Sequence, residues 1–339
     1  MDEKEVSQMK KLSIITTLYN SAKYLPKCLD SLLDQDIPQS EYEIIVVNDG
    51  SPDNSEEIAQ HYAEKNGNIR VISQSNKGLA GARNTGIRAS EGKYLYFVDP
   101  DDFILENSLS IILRRMEDES LDILRFGYIE VDEEYRPTTS VKHFSEPDYS
   151  SKVMDGYSFM AERLGIACYV WTYLFRSALI KDNSIFFIEG QYFDDTPWLP
   201  RVMAKAKRVD SIDFKRHFYL IRSNSLVQAR DRRSLQKKAD GEVFLIKELS
   251  RQRDQVDDAN GKKWYGMIIS HCVLTLVNYM ARFEKPMRTY YERELKQNGI
   301  FPLSVYRATR RNAVKLRMIN LSLSVYINIL QMLSLIKAQ

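Results

Sequence analysis

This chain of 339 residues has few cysteines and histidines and a low net charge. The three cysteines, Cys28, Cys168 and Cys272, are odd in number and far apart, which predicts neither a disulfide framework nor a CxxC metal knuckle. The histidines form no cluster with them that would suit zinc, and no Gly-x-Ser-x-Gly motif indicates a hydrolase. A net charge of +2 argues against nucleic-acid binding driven by bulk charge.

The first residues also lack the apolar stretch of a signal peptide. Together with the unpaired cysteines, this predicts a protein that stays in the reducing cytoplasm. Hydrophobic residues make up 44% and charged residues 28%, which is ordinary for a soluble globular protein with a sizeable core. The length predicts one large domain or two smaller ones.

Two hydrophobic periodicities alternate over the first hundred residues. Helix-like patterns near 24–33, 53–66 and 78–89 separate the strand-like runs 12–18, 43–47, 69–72 and 93–98. Asp53 is placed to cap the second of these helices. This rhythm predicts a doubly wound α/β sheet.

The second half of the chain has a different pattern. A helix is predicted over 109–116, a strand over 123–131, and a polar loop or insertion over 132–152. Aromatic strands and short helices return over 171–221. From about residue 223 the pattern is helical and charged, with an apolar stretch over 267–280.

Three carboxylates, Asp99, Asp101 and Asp102, end the run 93–98 abruptly. Buried strands of open α/β sheets present ligand sites at their carboxyl ends. Neighbouring carboxylates repel each other unless something neutralises them, and a divalent cation with oxygen ligands would do so. The alternative is an acidic turn that caps the next helix.

Several motifs, taken in order, resemble glycosyltransferase family 2. They are Ser-Ile-Ile-Thr-Thr-Leu-Tyr-Asn at 13–20, Val-Val-Asn-Asp-Gly-Ser at 46–51, Asn-Lys-Gly-Leu-Ala-Gly-Ala-Arg-Asn-Thr-Gly at 76–86, Phe-Val-Asp-Pro-Asp-Asp at 97–102, and the stretches 171–176 and 193–198. The resemblance covers roughly residues 10–225 and implies the GT-A fold, an α/β (Rossmann-like) nucleotide-sugar transferase fold. We therefore expect a catalytic domain over 1–225, with a nucleotide-binding half over about 10–105 and an acceptor half over 106–225. A mainly helical extension over 226–302 and a basic amphipathic tail over 303–339 would follow.

The resemblance implies a donor site for a nucleotide sugar. Asp49 is assigned to uracil, and Asp99 to the ribose or to a metal-bound water. The other donor-site residues implied are Thr17, Tyr19, Asn20, Lys77, Arg83 and Asn84. Glycines at 78, 81 and 86 would let the backbone approach the diphosphate or the sugar.

The resemblance also implies a metal site and a base. Asp101, with Asp99, resembles the family's Asp-x-Asp site for Mn2+ or Mg2+, and Asp102 could share that load. Asp195 matches the aspartate of the family's Glu-Asp motif and is assigned as general base of an inverting displacement. The alternative is that Asp194 and Asp195 cap the helix that contains Pro197.

Some positions depart from the family pattern. Thr17 replaces the usual Pro, and Asp194 replaces the usual Glu. Thr172 and Tyr173 replace a more usual Asn-Lys pair on the presumed sugar side, which leaves the donor sugar open. Trp171 could stack on a sugar, although a core position is the default for Trp.

The tail from 303 to 339 contains no Asp or Glu, and it carries several Arg and Lys residues. If 318–336 is one helix, at about 100° per residue its polar side chains, with the exception of Ser322, fall on one narrow face: Asn320, Ser324, Asn328, Gln331 and Ser334. This pattern favours an in-plane amphipathic helix on the cytosolic face of the plasma membrane. The alternatives are packing on the protein's own helices or on a second subunit, as in a homodimer.

The leading prediction is a metal-dependent inverting glycosyltransferase that moves sugar from a UDP-sugar to a glycan or lipid-linked glycan acceptor. A sugar-phosphate nucleotidyltransferase is the first alternative, but its glycine- and arginine-rich loop is missing after the first strand. The second alternative is a catalytically silent, membrane-associated scaffold. We expect no nucleic-acid partner.

Overall fold

The computed structural model describes residues 10–138, 152–222 and 231–336, with side chains up to Met332. The strands of these segments are β1 (Leu12–Leu18), β2 (Tyr42–Asn48), β3 (Ile69–Ser73), β4 (Tyr94–Phe97), β5 (Phe103–Ile104), β6 (Ile123–Val131), β7 (Tyr173–Arg176) and β8 (Val209–Leu220). The helices are α1 (Leu25–Leu33), α2 (Ser55–Lys65), α3 (Gly78–Ala89), α4 (Leu109–Asp118), α5 (Gly156–Glu162), α6 (Ser177–Lys181), α7 (Asp195–Met203), α8 (Arg232–Asp254), α9 (Ala259–Met280), α10 (Lys285–Gln297), α11 (Arg310–Leu321) and α12 (Leu323–Ile336).

The strands form one mixed sheet in the order β3-β2-β1-β4-β7-β6-β8-β5. The first four are parallel, with Leu12 opposite both Tyr42 and Tyr94 in the register. This part confirms the predicted α/β class, and its β1 and α3 have the predicted bounds. The sheet departs from the all-parallel pattern at β7, which pairs antiparallel with both β4 and β6.

The chain packs as two units. The sheet unit is drawn from Met1–Gly156, Tyr169–Gly190 and Lys205–Ser223, and the helical unit from Tyr157–Cys168, Gln191–Ala204 and Asn224–Gln339. The segments around α5 and α7 therefore pack largely with the C-terminal helices. The domain boundaries predicted at 225 and 302 stay a prediction.

Apolar side chains of β1, β2, α1 and α4 form the main core of the sheet unit. On the other face, α3 lies against β1 so closely that a Cβ added at Gly86 would be 2.3 Å from Ile15 Cγ2. Gly86 is therefore a packing residue, and the expectation that it exposes backbone to a ligand is wrong. Gly78 begins α3 with a φ of +77°, a value that favours glycine.

The predicted polar loop over 132–152 begins as a turn in which Tyr135 N donates to Asp132 O at 2.8 Å. Its residues 139–151 lie outside the described residues. In the helical unit, α8 and α9 pack side by side, and α9 contains the predicted apolar stretch. None of the described helices is long and apolar enough to cross a bilayer.

The tail is two helices, not the single helix assumed from its sequence. Ser322 takes an extended conformation (φ −163°, ψ 107°) between α11 and α12. Three of the predicted polar stripe residues contact the protein itself: Asn320 bonds the Leu303 backbone, Ser324 bonds Glu292, and Gln331 bonds Arg288. These three residues therefore face the protein, in agreement with the alternative that this side packs on the protein's own helices, whereas Asn328 is exposed.

Candidate functional site

The carboxyl ends of β1, β2 and β4 meet at one edge of the sheet because these strands are parallel. Tyr19 and Asn20 follow β1, Asp49 follows β2, and Asp99 comes shortly after β4. Ile15 pairs with Phe97 in the register, which places Thr17 and Asp99 at the same level of the sheet. The structure thus brings together the sequence-predicted residues that follow these strands.

The loop after β1 is held in place by the loop after β2. Asn20 has a φ of +54°, and its N–H donates to Ser51 Oγ at 2.7 Å. Asp53 Oδ2 accepts from Ala22 N at 2.9 Å, and Asp53 Oδ1 accepts from Ser55 N at 3.2 Å. The N-cap residue of α2 is Asn54, not Asp53 as predicted. Asp53 precedes it, bonds the first residue of the helix and also fixes this loop. The adjacent Tyr19 is 55% exposed, so its ring is open to a ligand at this edge.

Asp49 is 3% exposed and fixes the loop that leads into α3. Its Oδ1 accepts from Lys77 N at 2.8 Å and from Gln74 Nε2 at 2.7 Å. Oδ2 makes no hydrogen bond to the described residues and retains its capacity to accept. The Lys77 side chain is exposed at the start of the helix.

Arg83 and Asn84 are both buried in α3, but they contact different groups. Arg83 Nη2 is 3.0 Å from Asp99 Oδ1, which neutralises that carboxylate. Asn84 Nδ2 donates to Phe187 O at 3.0 Å and to Glu189 Oε1 at 2.9 Å, and its Oδ1 accepts from Phe187 N at 2.8 Å. Asn84 thus supports the 187–189 segment, and its predicted contact with the donor stays a prediction.

Asp101 is paired with Arg222, whose Nη2 lies 2.5 Å from Asp101 Oδ2. Burial raises the pKa of Asp101 to about 7, and the negative charges of Asp102 and Asp99 act in the same direction. The Arg222 cation opposes them. Negative charge at Asp101 is therefore incompletely compensated by the protein, and an added cation would stabilise its ionised form.

Asp102 belongs to the core. Its Oδ2 is 2.9 Å from His217 Nε2, and its Oδ1 accepts from Leu220 N at 2.9 Å. Burial raises the pKa of Asp102 well above its ordinary value and lowers the pKa of His217 to about 3. Tyr96 Oη contacts the second ring nitrogen of His217 at 2.9 Å. Because both carboxylate oxygens of Asp102 are used internally, the suggestion that Asp102 shares the metal load is wrong.

The remaining acids suit a hard divalent cation. Asp99 and Asp101 are partly exposed carboxylates, two residues apart, on one loop. Mg2+ and Mn2+ sites commonly use one or two carboxylates and complete their coordination with substrate phosphate oxygens and water. Among the described residues, no group of three or more His, Cys, Asp or Glu side chains could hold a metal by itself. The donor set therefore fits a cation that shares its ligands with a bound diphosphate.

Asp194 and Asp195 begin α7 in the helical unit. Asp194 is the N-cap residue, and its Oδ1 accepts from Asp195 N at 3.1 Å. Asp195 is the first helical residue and is partly exposed. Asp194 thus has the predicted capping role, while the assignment of Asp195 as general base stays a prediction.

Trp171 is buried, and so are Thr172 and Tyr173, the two residues that differ from the family pattern. Trp171 is 4% exposed and stacks with Tyr169, His217 and Tyr219, so the default core position is the observed one. Thr172 is also buried, and Tyr173 lies in β7 between β4 and β6. These departures from the family pattern therefore change the core, and the expectation that they face the sugar is not supported.

Sequence reasoning missed three residues of this edge: Glu189, His217 and Arg222. His217 is 115 residues from Asp102, and only the sheet order, which places β8 beside β5, brings them together. For Arg222 a signal existed, since it is the first basic residue after the long β8 run and parallel or mixed sheets bind ligands where strands end.

The comparisons with known proteins agree with this geometry. The sequence profile described as "Glycosyl transferase family 2" matches residues 13–181. The glycosyltransferase GlyG of Streptococcus pneumoniae is 30% identical over 233 residues, covering 64% of this chain and 73% of GlyG. The glycosyltransferase EpsJ of Bacillus subtilis is 35% identical over 224 residues, covering 64% of this chain. That alignment spans 63% of the length of EpsJ.

Among solved structures, residues 1–349 of TarS from Staphylococcus aureus in complex with UDP are similar to this chain. The TM-score is 0.69 at 20% identity, and the match covers 97% of this chain and 92% of that one. At this identity the match shows the fold, which is the predicted GT-A type with additional C-terminal helices.

Proposed function

This chain belongs to glycosyltransferase family 2, and from that premise we propose that it transfers a sugar from a UDP-sugar to a hydroxyl group of a glycan or lipid-linked glycan, with inversion at the anomeric carbon. The observation that carries the proposal is the set of residues at the sheet edge. Asp49, Asp99 and Asp101 lie where β2 and β4 end, beside the buried cation of Arg83.

The donor would bind along this edge. Asp49 Oδ2 has the capacity to accept the N–H of a uracil, while its Oδ1 keeps the 74–77 loop in position. The exposed ring of Tyr19 offers a stacking surface for the base. Lys77 and the first backbone N–H groups of α3 are suited to a diphosphate, since a helix N-terminus favours anions. TarS, a similar protein of known structure, was solved in complex with UDP.

Asp99 and Asp101 would hold a divalent cation, Mn2+ or Mg2+. When bound, it would stabilise the negative charge that builds on the departing diphosphate. Arg83 and Arg222 would contribute fixed positive charge beside the same carboxylates. With this charge in place, the leaving group needs no proton from a protein acid.

The acceptor step needs a base, and we assign that role to Asp195. The acceptor oxygen would attack the anomeric carbon as the bond from that carbon to the diphosphate oxygen breaks, and UDP would leave with the electron pair. Asp195 would take the hydroxyl proton. Its position at the start of α7 favours the carboxylate form through the helix dipole.

The acceptor and its location are also part of the proposal. A lipid-linked glycan on the cytosolic leaflet would place the enzyme at the inner face of the plasma membrane, attached through residues 303–339. The basic composition of that tail supports this, since each Lys or Arg near an anionic leaflet adds on the order of 1 kcal/mol. The name of EpsJ gives a glycosyltransferase without an acceptor, so an acceptor must be found by experiment.

The test uses a panel of UDP-sugars with Mn2+ and measures UDP release with and without lipid-linked glycan acceptors. Asp195→Asn should lower kcat by about 10²- to 10⁴-fold and leave UDP binding intact, because only proton removal is lost. Asp101→Asn should weaken the Mn2+-dependent thermal shift produced by UDP.

Two exposed aspartates provide matched controls: Asp118→Asn in the sheet unit and Asp257→Asn in the helical unit should both behave as wild type. Full activity in Asp195→Asn would refute the base assignment. Absence of any UDP-induced thermal shift in the wild-type protein would favour the silent scaffold.

A further inference from the structure

The last two helices expose large apolar side chains to solvent. Val314 and Leu321 on α11 are 54% and 88% exposed, and Val325 and Met332 on α12 are 56% and 65% exposed. Isolated apolar residues at a surface need no explanation, but several on adjacent helices indicate an interaction surface.

The orientation of these helices is fixed by their opposite side. Asn320 Nδ2 donates to Leu303 O at 3.0 Å, and Asn320 Oδ1 accepts from Leu303 N at 2.7 Å. Ser324 and Gln331 bond Glu292 and Arg288 of α10. Leu316, Ile319, Leu323, Tyr326 and Ile327 are buried on this inner side. The apolar residues of the outer side therefore cannot turn inward without breaking these contacts.

Basic and apolar side chains alternate along the outer side of α11. Arg310, Val314, Arg317 and Leu321 follow one another at spacings that, at 100° per residue, keep them within about 60° of one another around the helix. On α12, Val325, Asn328 and Met332 continue an exposed stripe at the same type of spacing. We call Arg310, Val314, Arg317, Leu321, Val325 and Met332 the outer face.

The charges of the outer face do not serve the helix. Arg310 occupies the first turn of α11, where the helix dipole disfavours a cation, and no acidic residue occupies that turn. In the described part of the chain, neither Arg310 nor Arg317 forms an ion pair, and no Asp or Glu occurs anywhere in 303–339. The positive charge is therefore available to an anionic partner.

We propose that the outer face docks on an anionic lipid surface, with its apolar side chains inserted among the acyl chains and its arginines at the phosphate level. This deepens the proposed membrane attachment, on which it rests, by naming the residues that contact the lipid. A second copy is a poorer occupant, because a two-fold interface would bring the same arginines of both copies close together. Lipid phosphates complement these charges.

The experiment is co-sedimentation of the full chain with vesicles of mixed phosphatidylglycerol and phosphatidylcholine, compared with phosphatidylcholine alone. We expect binding to the mixed vesicles that weakens with salt. Arg310→Ala/Arg317→Ala should weaken it about 25-fold, since each charge contributes about fivefold. Leu321→Asp/Val325→Asp should reduce it at least tenfold.

Matched controls separate a local effect from a general one. Arg233→Ala/Lys237→Ala removes the same charge from exposed positions of α8, and Ile166→Asp introduces an acid at another exposed apolar position of the helical unit. Both should bind vesicles as wild type does. Circular dichroism melting should show that all variants are folded.

Three outcomes would overturn the proposal: no vesicle binding by the wild type, binding that both outer-face variants retain, or a dimer in light scattering that only Leu321→Asp/Val325→Asp dissociates. The last would identify a second copy as the occupant. The UDP thermal shift with Mn2+, measured on the same samples, reports the donor site separately. If the wild type binds the mixed vesicles but shows no UDP thermal shift with Mn2+, the proposed function is refuted and the docking surface is not.

Discussion

Three acids that are neighbours in sequence have three different partners. Asp99 faces Arg83, Asp101 faces Arg222, and Asp102 faces His217. The first two pairs are partly open to solvent, whereas the third is closed within the core. The three neighbouring acids therefore comprise two carboxylates suited to a ligand and one that bonds the loop to β8.

Glu242 is another buried acid, located in α8 of the helical unit. It is 6% exposed, its Oε2 has no hydrogen-bond partner among the described residues, and it interacts with the Cys272 side chain. Burial raises the pKa of Glu242 to about 8, with the Cys272 interaction opposing this shift. The folded protein therefore binds a proton that the unfolded chain releases near its ordinary pKa of 4.5.

This shift predicts a pH dependence of stability. A carboxyl whose pKa is raised on folding gives full stability below its unfolded pKa, and that stability is lost as pH rises through the folded pKa. We expect Glu242 to lower the free energy of unfolding by about 2–4 kcal/mol between pH 5 and pH 8. Glu242→Gln should remove this contribution, so its slope should be shallower than that of wild type, and the variant should be more stable than wild type at pH 8, as measured by urea unfolding at several pH values. The slope that remains includes Asp101, whose pKa burial raises to about 7.

Glu248→Gln is the matched control on the same helix. Hydrogen bonds from Arg251 and Gln252 lower the pKa of Glu248 despite its partial burial, so its titration lies below this pH range. The control should therefore keep the wild-type slope between pH 5 and pH 8. A slope in Glu242→Gln as steep as that of wild type would assign the pH dependence to other groups.

At the scale of elements, the packing of α3 against β1 places Arg83 beside Asp99. The contact depends on Gly86, because a Cβ there would meet Ile15 Cγ2 at 2.3 Å. Gly86→Ala gains about 1 kcal/mol of helix propensity, but overpacking costs typically 1–3 kcal/mol or more. At such a short distance we expect net destabilisation of about 1–2 kcal/mol in chemical denaturation.

The Ile15→Ala/Gly86→Ala double variant tests the cause. Removing the Ile15 side chain beyond Cβ should relieve the clash, so the double variant should cost at least about 1 kcal/mol less than the sum of the two single variants. Gly67→Ala is the control, because no atom lies within 4 Å of its added Cβ. Additive single effects would show that the contact is not the source of the loss.

The elements of the first hundred residues were predictable because local signals agree there. Alternating periods and the turn residues after β2 and before α3 predicted the helix Gly78–Ala89 with its observed bounds. The same order carries Asp49, Arg83 and Asp99 to one edge, since parallel strands end together. The placement of these three residues at one edge therefore follows from sequence spacing, whereas the roles assigned to them come from the family resemblance.

Long-range pairing could not be predicted in this way. Nothing local to β7 tells that it inserts antiparallel between β4 and β6, and His217 and Arg222 reach the acidic loop only through that sheet order. In the tail the period predicted helix, but it could show neither the break at Ser322 nor which side faces the protein. Hydrogen bonds of Asn320 and Ser324 decide that question.

At the scale of the whole molecule, packing does not follow chain order. The segment with Asp194 and Asp195 lies between β7 and β8 in sequence, yet it packs with α8, where Gln252 Nε2 donates to Pro197 O at 2.9 Å. The proposed base and the proposed metal ligands thus belong to different packing units. We therefore expect substitutions that destabilise the helical unit to displace Asp195 without displacing Asp99 and Asp101.

The tail is part of the helical unit, which determines how membrane attachment must be tested. Five buried apolar side chains of α11 and α12 would be lost in a deletion of 303–339, and the bond from Ser304 N to Ser270 Oγ at 2.8 Å would be lost with them. At about 1.5–3 kcal/mol for each buried side chain, the loss is on the order of 10 kcal/mol. That is comparable with the total stability of a typical protein, about 5–15 kcal/mol.

We therefore expect the deletion to unfold or aggregate the helical unit, seen as a Tm lowered by more than about 10 °C or as loss of soluble protein. Leu321→Asp/Val325→Asp, which changes only exposed positions, should keep its Tm within about 2 °C of wild type. A deleted protein that stays monomeric with an unchanged Tm would contradict the packing described for α11 and α12. Because the deletion removes core and surface together, only the point variants can separate lipid binding from folding.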